Sequence, residues 1–155
     1  MTLGMVAPVL DPALYIPELR PRTKEAVLEH LVTLAHGAGA VGAPALLLEL
    51  LTLCEGVGST AVGKGVAIPH ASSLTVRRPL LVLARSHRGI EWDAPDDQRV
   101  TLVLLALSPG EWGEETHHAF LGRAAAIARL QRNRQRLLDA ESYADVASVL
   151  REVNP

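Results

Sequence analysis

The run from Val100 to Leu107, VTLVLLAL, is aliphatic apart from one hydroxyl. It neither alternates nor recurs at helical spacing, so it reads as a strand buried on both faces. Ser108-Pro109-Gly110 stops it. It is about half the length a bilayer span requires, so membrane insertion is not expected. A second run, Leu80 to Ala84, precedes a turn at His87-Arg88-Gly89 and a short strand Ile90-Glu91-Trp92; Pro95-Asp96-Asp97 is another turn. A block of strands buried on both sides must be covered by helices, and the rest of the chain supplies them. The expected class is α/β, a central mixed β-sheet flanked by helices on both faces.

Four prolines (Pro8, Pro12, Pro17 and Pro21) hold residues 1–22 extended. Thr23 offers an N-cap, Glu25 an acid in the first turn, and Val27, Leu28, Leu31, Leu34 and Ala35 one apolar helix face, ended by Gly37 and Gly39. A second helix runs from Pro44 to Glu55; its leucines are apolar on most sides, which predicts deep burial. After Gly110 the chain reads helical over Glu114 to Leu130, Arg134 to Leu138 and Ser142 to Glu152, with Ser142 and Asp145 as a capping pair.

Composition narrows the function classes. The 155 residues form one domain, 1–155, and are 48% hydrophobic with only five aromatic side chains, so the core is Leu, Val and Ala. A net charge of −2 argues against a non-specific nucleic-acid binder, which needs a basic face to displace phosphate counterions. The single cysteine, Cys54, excludes an internal disulfide and a multi-thiolate metal site and fits the cytoplasm. Met1 to Leu10 lacks the basic start of a signal peptide.

Two features could carry chemistry. Gly58 to Gly65, GSTAVGKG, nearly writes a phosphate-binding loop, but Gly65 stands where the magnesium-holding hydroxyl belongs. It also follows a helix and runs into Val66-Ala67-Ile68-Pro69 instead of following a strand and opening a helix. A tight glycine turn is the plainer reading. Of six histidines, His30 and His36 lie six apart on one helix and do not share a face, and His87 sits in a solvated turn. His70 differs because Pro69 fixes the backbone immediately before it, as a nucleophile or ligand requires. A loop histidine at a strand end is the alternative. His70, His117 and His118 make a poor zinc set, since adjacent helical residues point about 100° apart.

The stretch Gly58-Ser59-Thr60-Ala61-Val62-Gly63-Lys64-Gly65-Val66-Ala67-Ile68-Pro69-His70 resembles the signature of the fructose/mannitol-type enzyme IIA of the bacterial phosphotransferase system, which includes the nitrogen-regulatory enzyme IIA. That signature reads G-S-T-G-x-G-x-G-I-A-I-P-H, and Ala61 is the departure. Gly89 to Ala94 is similar to the family's P-I-x-F-D-A segment, and His117 with Leu121, Arg123, Ala125 and Ile127 to its H-L-x-x-L-A-R-L-A helix.

The resemblance implies a histidine phosphocarrier. His70 would accept a phosphoryl group from a phosphorylated carrier protein (HPr-like) and pass it to a IIB unit of a sugar transporter or to a regulatory target. His117 would stand beside it as a hydrogen-bond donor, His118 pointing elsewhere. Ser59 and Thr60 would either bind the phosphoryl group or satisfy the turn. No metal and no cofactor are implied. Where the family has arginine before glutamate, this chain has Cys54-Glu55, with Lys64 and Arg123 as candidate substitutes for the missing charge. The alternative is an interaction module of the same fold that docks on a kinase or transporter without transferring phosphate. An apolar rim of Val66, Ile68 and Leu74 is the expected docking surface.

Overall fold

The computed structural model describes residues 14–153. Residues 1–13, which include Pro8 and Pro12 of the expected extended segment, lie outside the described residues.

The buried run forms strand β6, Val100–Pro109, and every other strand is arranged around it. It continues through Ser108 and Pro109, where the sequence suggested a stop. On one side β6 pairs antiparallel with β5, Leu80–Ile90. Beyond β5 lies the short β1, Tyr15–Ile16, parallel to it at Leu83 and Ala84. On the other side β6 pairs in parallel first with β3, Val66–Ala67, and then with β4, His70–Ser73. The register runs on unbroken across Ile68-Pro69, from Ala67 opposite Val103 to His70 opposite Ala106. These two short strands behave as one, interrupted where Pro69 cannot donate to the ladder. The outer β2, Ala61–Gly63, folds back on β3. Lys64 and Gly65 close that hairpin with φ of 59° and 79°, a two-residue turn whose backbone matches strand twist. A Cβ at Gly65 would also stand 3.0 Å from the Thr101 hydroxyl, so glycine suits both demands.

Helices cover both faces, as expected. Helices α1, Lys24–Gly37, and α2, Pro44–Val57, pack on the face made by Leu80, Val82, Val103 and Leu105. Helices α3, Gly113–Ile127, α4, Gln131–Asp139, and α5, Tyr143–Val153, pack on the face made by Leu81, Leu83, Leu102 and Leu104. The alternation of β5 and β6 residues between the two layers follows from the two-residue period of a strand. The Thr23 hydroxyl accepts the Ala26 N–H at 3.2 Å and starts α1. The Ser142 hydroxyl accepts the Asp145 N–H at 3.3 Å at the head of α5. Among the described residues no helix is long and apolar enough to cross a membrane.

Three expectations need correction. Helix α2 is not deeply buried: Leu47, Leu51 and Glu55 face inward, while Leu46 and Leu53 are 58% and 63% exposed. A 14-residue helix lying on one side of a sheet can bury only one stripe, however apolar the others are. The turn read at His87-Arg88-Gly89 is a bulge inside the continuous strand β5, where four residues (86–89) stand against Thr101 of β6. His87 itself is exposed yet partnered, with Nδ1 2.5 Å from Glu18 and Nε2 3.1 Å from the Leu138 carbonyl.

Candidate functional site

Strand β4 begins at His70 because Pro69 ends the pairing of β3. The Pro69 carbonyl still accepts the Ala106 N–H at 3.0 Å, which ties the backbone before His70 to the central strand. His70 shares its register position with Ala106, and two residues on Ser72 opposes Ser108. Ala106 and Ser108 therefore point to the same face, towards α3. Helix α3 presents His117 there, and the rings of His70 and His117 lie with centroids 5.6 Å apart at 58°.

The two imidazoles are held differently. His117 is 9% exposed, and its Nδ1 lies 2.7 Å from the fully buried Ser108 hydroxyl. His70 is half-buried. Its Nδ1 is buried without a hydrogen-bond partner. Burial is the main cause that holds the His70 pKa below 6.5; His117 and His118 add to it, and Glu55 opposes it. His117 is lowered too, by burial first and by His118 second. Burial therefore favours the neutral form of both rings. His118 is exposed, with its ring centroid 6.0 Å from that of His117.

Ser59 and Thr60 have internal partners. The Ser59 hydroxyl donates to the Trp92 carbonyl at 2.9 Å and accepts the Ala61 N–H at 3.2 Å. The Thr60 hydroxyl donates to Glu55, whose carboxylate also accepts the Thr60 N–H at 3.2 Å and the Trp92 indole N–H at 3.4 Å. Lys24 stands 3.7 Å from the same carboxylate. This buried acid ties α1, α2, the glycine segment and Trp92 together on the approach to His70.

Neither Ser108 nor the connecting role of Glu55 is evident in the sequence. Ser108 looked like part of a strand stop; its signal is a hydroxyl two residues beyond Ala106 on a strand buried throughout. Glu55 follows Leu47 and Leu51 at steps of four, so it continues the inward stripe of α2. The proposed charge substitutes lie elsewhere. The Lys64 N–H bonds Asp96 at 2.8 Å in the β2–β3 turn, and Arg123 is six residues from His117 on α3, which turns it about 120° away. Cys54 is exposed on α2. Of the expected apolar rim, Val66 and Ile68 are buried and only Leu74 is open, at 83%.

The chain can now be set beside known proteins. The profile of the family described as phosphoenolpyruvate-dependent sugar phosphotransferase system, EIIA 2, matches residues 9–153. A fructose-specific EIIA component of Haloferax volcanii is 39% identical over 133 residues, 86% of each chain. A nitrogen regulatory protein of Bradyrhizobium diazoefficiens is 31% identical over 145 residues, 94% of each chain. Among solved structures, enzyme IIA mannitol in complex with phosphorylated enzyme IIB mannitol, from Escherichia coli, superposes with a TM-score of 0.79 at 16% identity, covering 92% of this chain and 96% of that one. A motif that ends on His70, a mixed sheet that presents it beside His117, and a match over nearly the whole length agree: this chain belongs to the EIIA 2 family of the phosphoenolpyruvate-dependent sugar phosphotransferase system.

Proposed function

We propose that this protein is a cytoplasmic histidine phosphocarrier in which Nε2 of His70 accepts the phosphoryl group. The observation that carries the reading is the pair of adjacent imidazoles, one half-buried with Nδ1 turned inward, the other anchored beside it, and both held towards the neutral form by burial. A neutral imidazole holds a lone pair at physiological pH and is nucleophilic there. The donor is a phosphorylated carrier protein (HPr-like). The bond from phosphorus to the carrier breaks as the bond to Nε2 forms, and the ring proton stays on Nδ1. The acceptor is a IIB unit of a sugar transporter or a regulatory target.

His117 is the hydrogen-bond donor to the phosphoryl oxygens. The Ser108 hydroxyl has one proton, and among the described residues its partner is His117; donating to Nδ1 satisfies both groups and leaves the His117 proton on Nε2. Charge on the three equatorial oxygens is then met by an N–H held in place before the group arrives. Ser59 and Thr60 serve by fixing the segment that leads to His70. The exposed Leu74, one residue beyond β4, supplies apolar surface for a transient partner.

The test is incubation with phosphoenolpyruvate, enzyme I and the carrier protein. One acid-labile, base-stable phosphate per chain is expected, and none on His70→Ala. No label on the intact chain, or label that survives His70→Ala, overturns the reading. One observation favours the second reading, an interaction module: Cys54 stands exposed where the family's arginine would be. In that case partner binding persists in a chain that never labels.

A further inference from the structure

At the opposite end of β5 from His70, the sheet opens. The segment that follows β1 runs beside β5 in parallel: Tyr15 and Ile16 pair with Leu83 and Ala84, Leu19 N–H bonds the Arg85 carbonyl at 2.6 Å, and Thr23 bridges to Glu91. Between the last two contacts one chain advances four residues and the other six. The surplus of two is taken up in the bulge at 86–89, and the two chains part around a cavity of about 470 Å³. Its walls include Arg20 and Arg22 from one chain and Ser86 and Arg88 from the other.

The charges of this cavity are unbalanced. Arg20, Arg22 and Arg88 form no ion pair among the described residues. The one acid in the wall, Glu18, is engaged by His87, which lies 2.5 Å away through Nδ1 and also donates its backbone N–H at 3.1 Å. The nearby Glu91 is paired with Arg99 at 3.3 Å. Ser86 is buried, and its oxygen accepts the Gly89 N–H at 3.1 Å, which leaves its own proton to offer. The positive charges of the three arginines that line this hollow repel one another in a chain whose net charge is −2. An anion between them relieves that repulsion, and the planar fork of arginine matches phosphate oxygens two at a time. Three positive charges call for about as many negative ones, which a single phosphate monoester does not carry.

We propose that this gap is a binding site for a small organic diphosphate, gripped by Arg20 and Arg22 on one side and by Arg88 and the Ser86 hydroxyl on the other. The volume lies in the range of small-molecule pockets. The site is separate from His70: the β5 residue level with His70 is Leu81, and from there to Ser86 the strand extends about 17 Å.

The experiment is a titration of the isotope-labelled protein with ADP, inorganic pyrophosphate and AMP, followed through backbone amide shifts at about 0.15 M salt, where non-specific surface attraction is screened. Saturable shifts confined to 18–22 and 86–89 are expected with ADP and pyrophosphate, and binding of AMP about tenfold weaker. Arg22→Gln with Arg88→Gln should weaken ADP binding by about tenfold or more, while His70→Ala leaves it unchanged. These arginines are exposed, and Arg20→Gln alone reads the same site should the double variant lose its native spectrum. Absence of saturable binding by both ADP and pyrophosphate overturns the site. So do shifts centred on His70 and His117, or arginine variants that bind as tightly as the parent. Equal binding of AMP and ADP overturns the diphosphate class.

Discussion

Ser108→Ala removes one hydroxyl from the centre of the sheet and tests how the second histidine is set. Ser108 is fully buried and its oxygen lies 2.7 Å from His117 Nδ1. If the hydroxyl donates into Nδ1, the substitution leaves a buried acceptor unpaired, which costs about 1–2 kcal/mol of folding stability. The same bond biases the imidazole towards the Nε2–H tautomer by about 1 kcal/mol, which is about fivefold in population. Transfer to and from His70 should slow by up to that factor, while labelling still runs to completion, because the nucleophile is untouched. A bond accepted at Nδ1 also favours the neutral ring, so the variant's His117 pKa should rise relative to the parent's, against the burial that keeps it low. Nitrogen shifts of the labelled ring report the tautomer and the titration together, and rapid-quench labelling reports the rate. Ser108→Thr keeps the hydroxyl and should retain the parent tautomer even though its extra methyl strains a packed site. An Nδ1–H tautomer in the parent protein, or an Ser108→Ala variant whose tautomer and rate both match the parent, would refute the reasoning.

Ring titrations should separate the histidines: His70 and His117 below 6.5, His87 above it because Glu18 and the Leu138 carbonyl hold its protons. The linkage signs are opposite. His70 and His117 bind fewer protons folded than unfolded, so their contribution to stability falls as pH drops below about 6.5, whereas that of His87 is complete below 6.5 and is lost as pH rises through its raised pKa; chemical denaturation across that range checks both. Arg85→Met should lower stability by about 3 kcal/mol in the same assay, since this buried guanidinium donates to the carbonyls of Pro17, Leu137 and Ala140 at 2.7–3.0 Å and the loss strands them. Glu55→Gln removes the carboxylate that opposes the lowering at His70, so the His70 ring should titrate at still lower pH.

What the sequence disclosed depended on how local the determinant was. Thr23 caps α1 through a bond three residues away, and Val100 to Leu107 is apolar throughout, so both could be read directly. His70 was legible because Pro69 and the glycine segment are its immediate neighbours. The exposure of Leu46 and Leu53 was not, because nothing in an apolar helix says that only one stripe has a sheet to lie on. His87 reads locally as a solvated turn residue because Glu18, its partner, is 69 residues away. Ser108 is hidden for the same reason in a milder form: its partner lies on another element, and a serine before proline looks locally like punctuation.

The placement of charge bears most on how the site works. On the proposed function, a phosphoryl group arriving at His70 would feel Glu55, the acid that acts on the ring, and that carboxylate is already compensated by Lys24 at 3.7 Å and by donors from Thr60 and Trp92. Repulsion is therefore muted, and the expected substitutes for the family's arginine do not supply a cation there: Cys54 has no basic group and Lys64 sits in the β2–β3 turn. The arginines of the β5 bulge are about 17 Å away, beyond the screening length of about 8 Å at physiological salt. On the proposed function, stabilisation within this chain would rest on the His117 N–H, and a cation would come from the docked partner. Cys54→Arg isolates that dependence. If the exposed end of α2 is where the family's charge acts, the variant should transfer phosphate about tenfold faster or more, with the gain largest at low salt. A rate equal to the parent's at all salt concentrations would mean that the partner already supplies the charge in full, and that the cysteine costs this protein nothing.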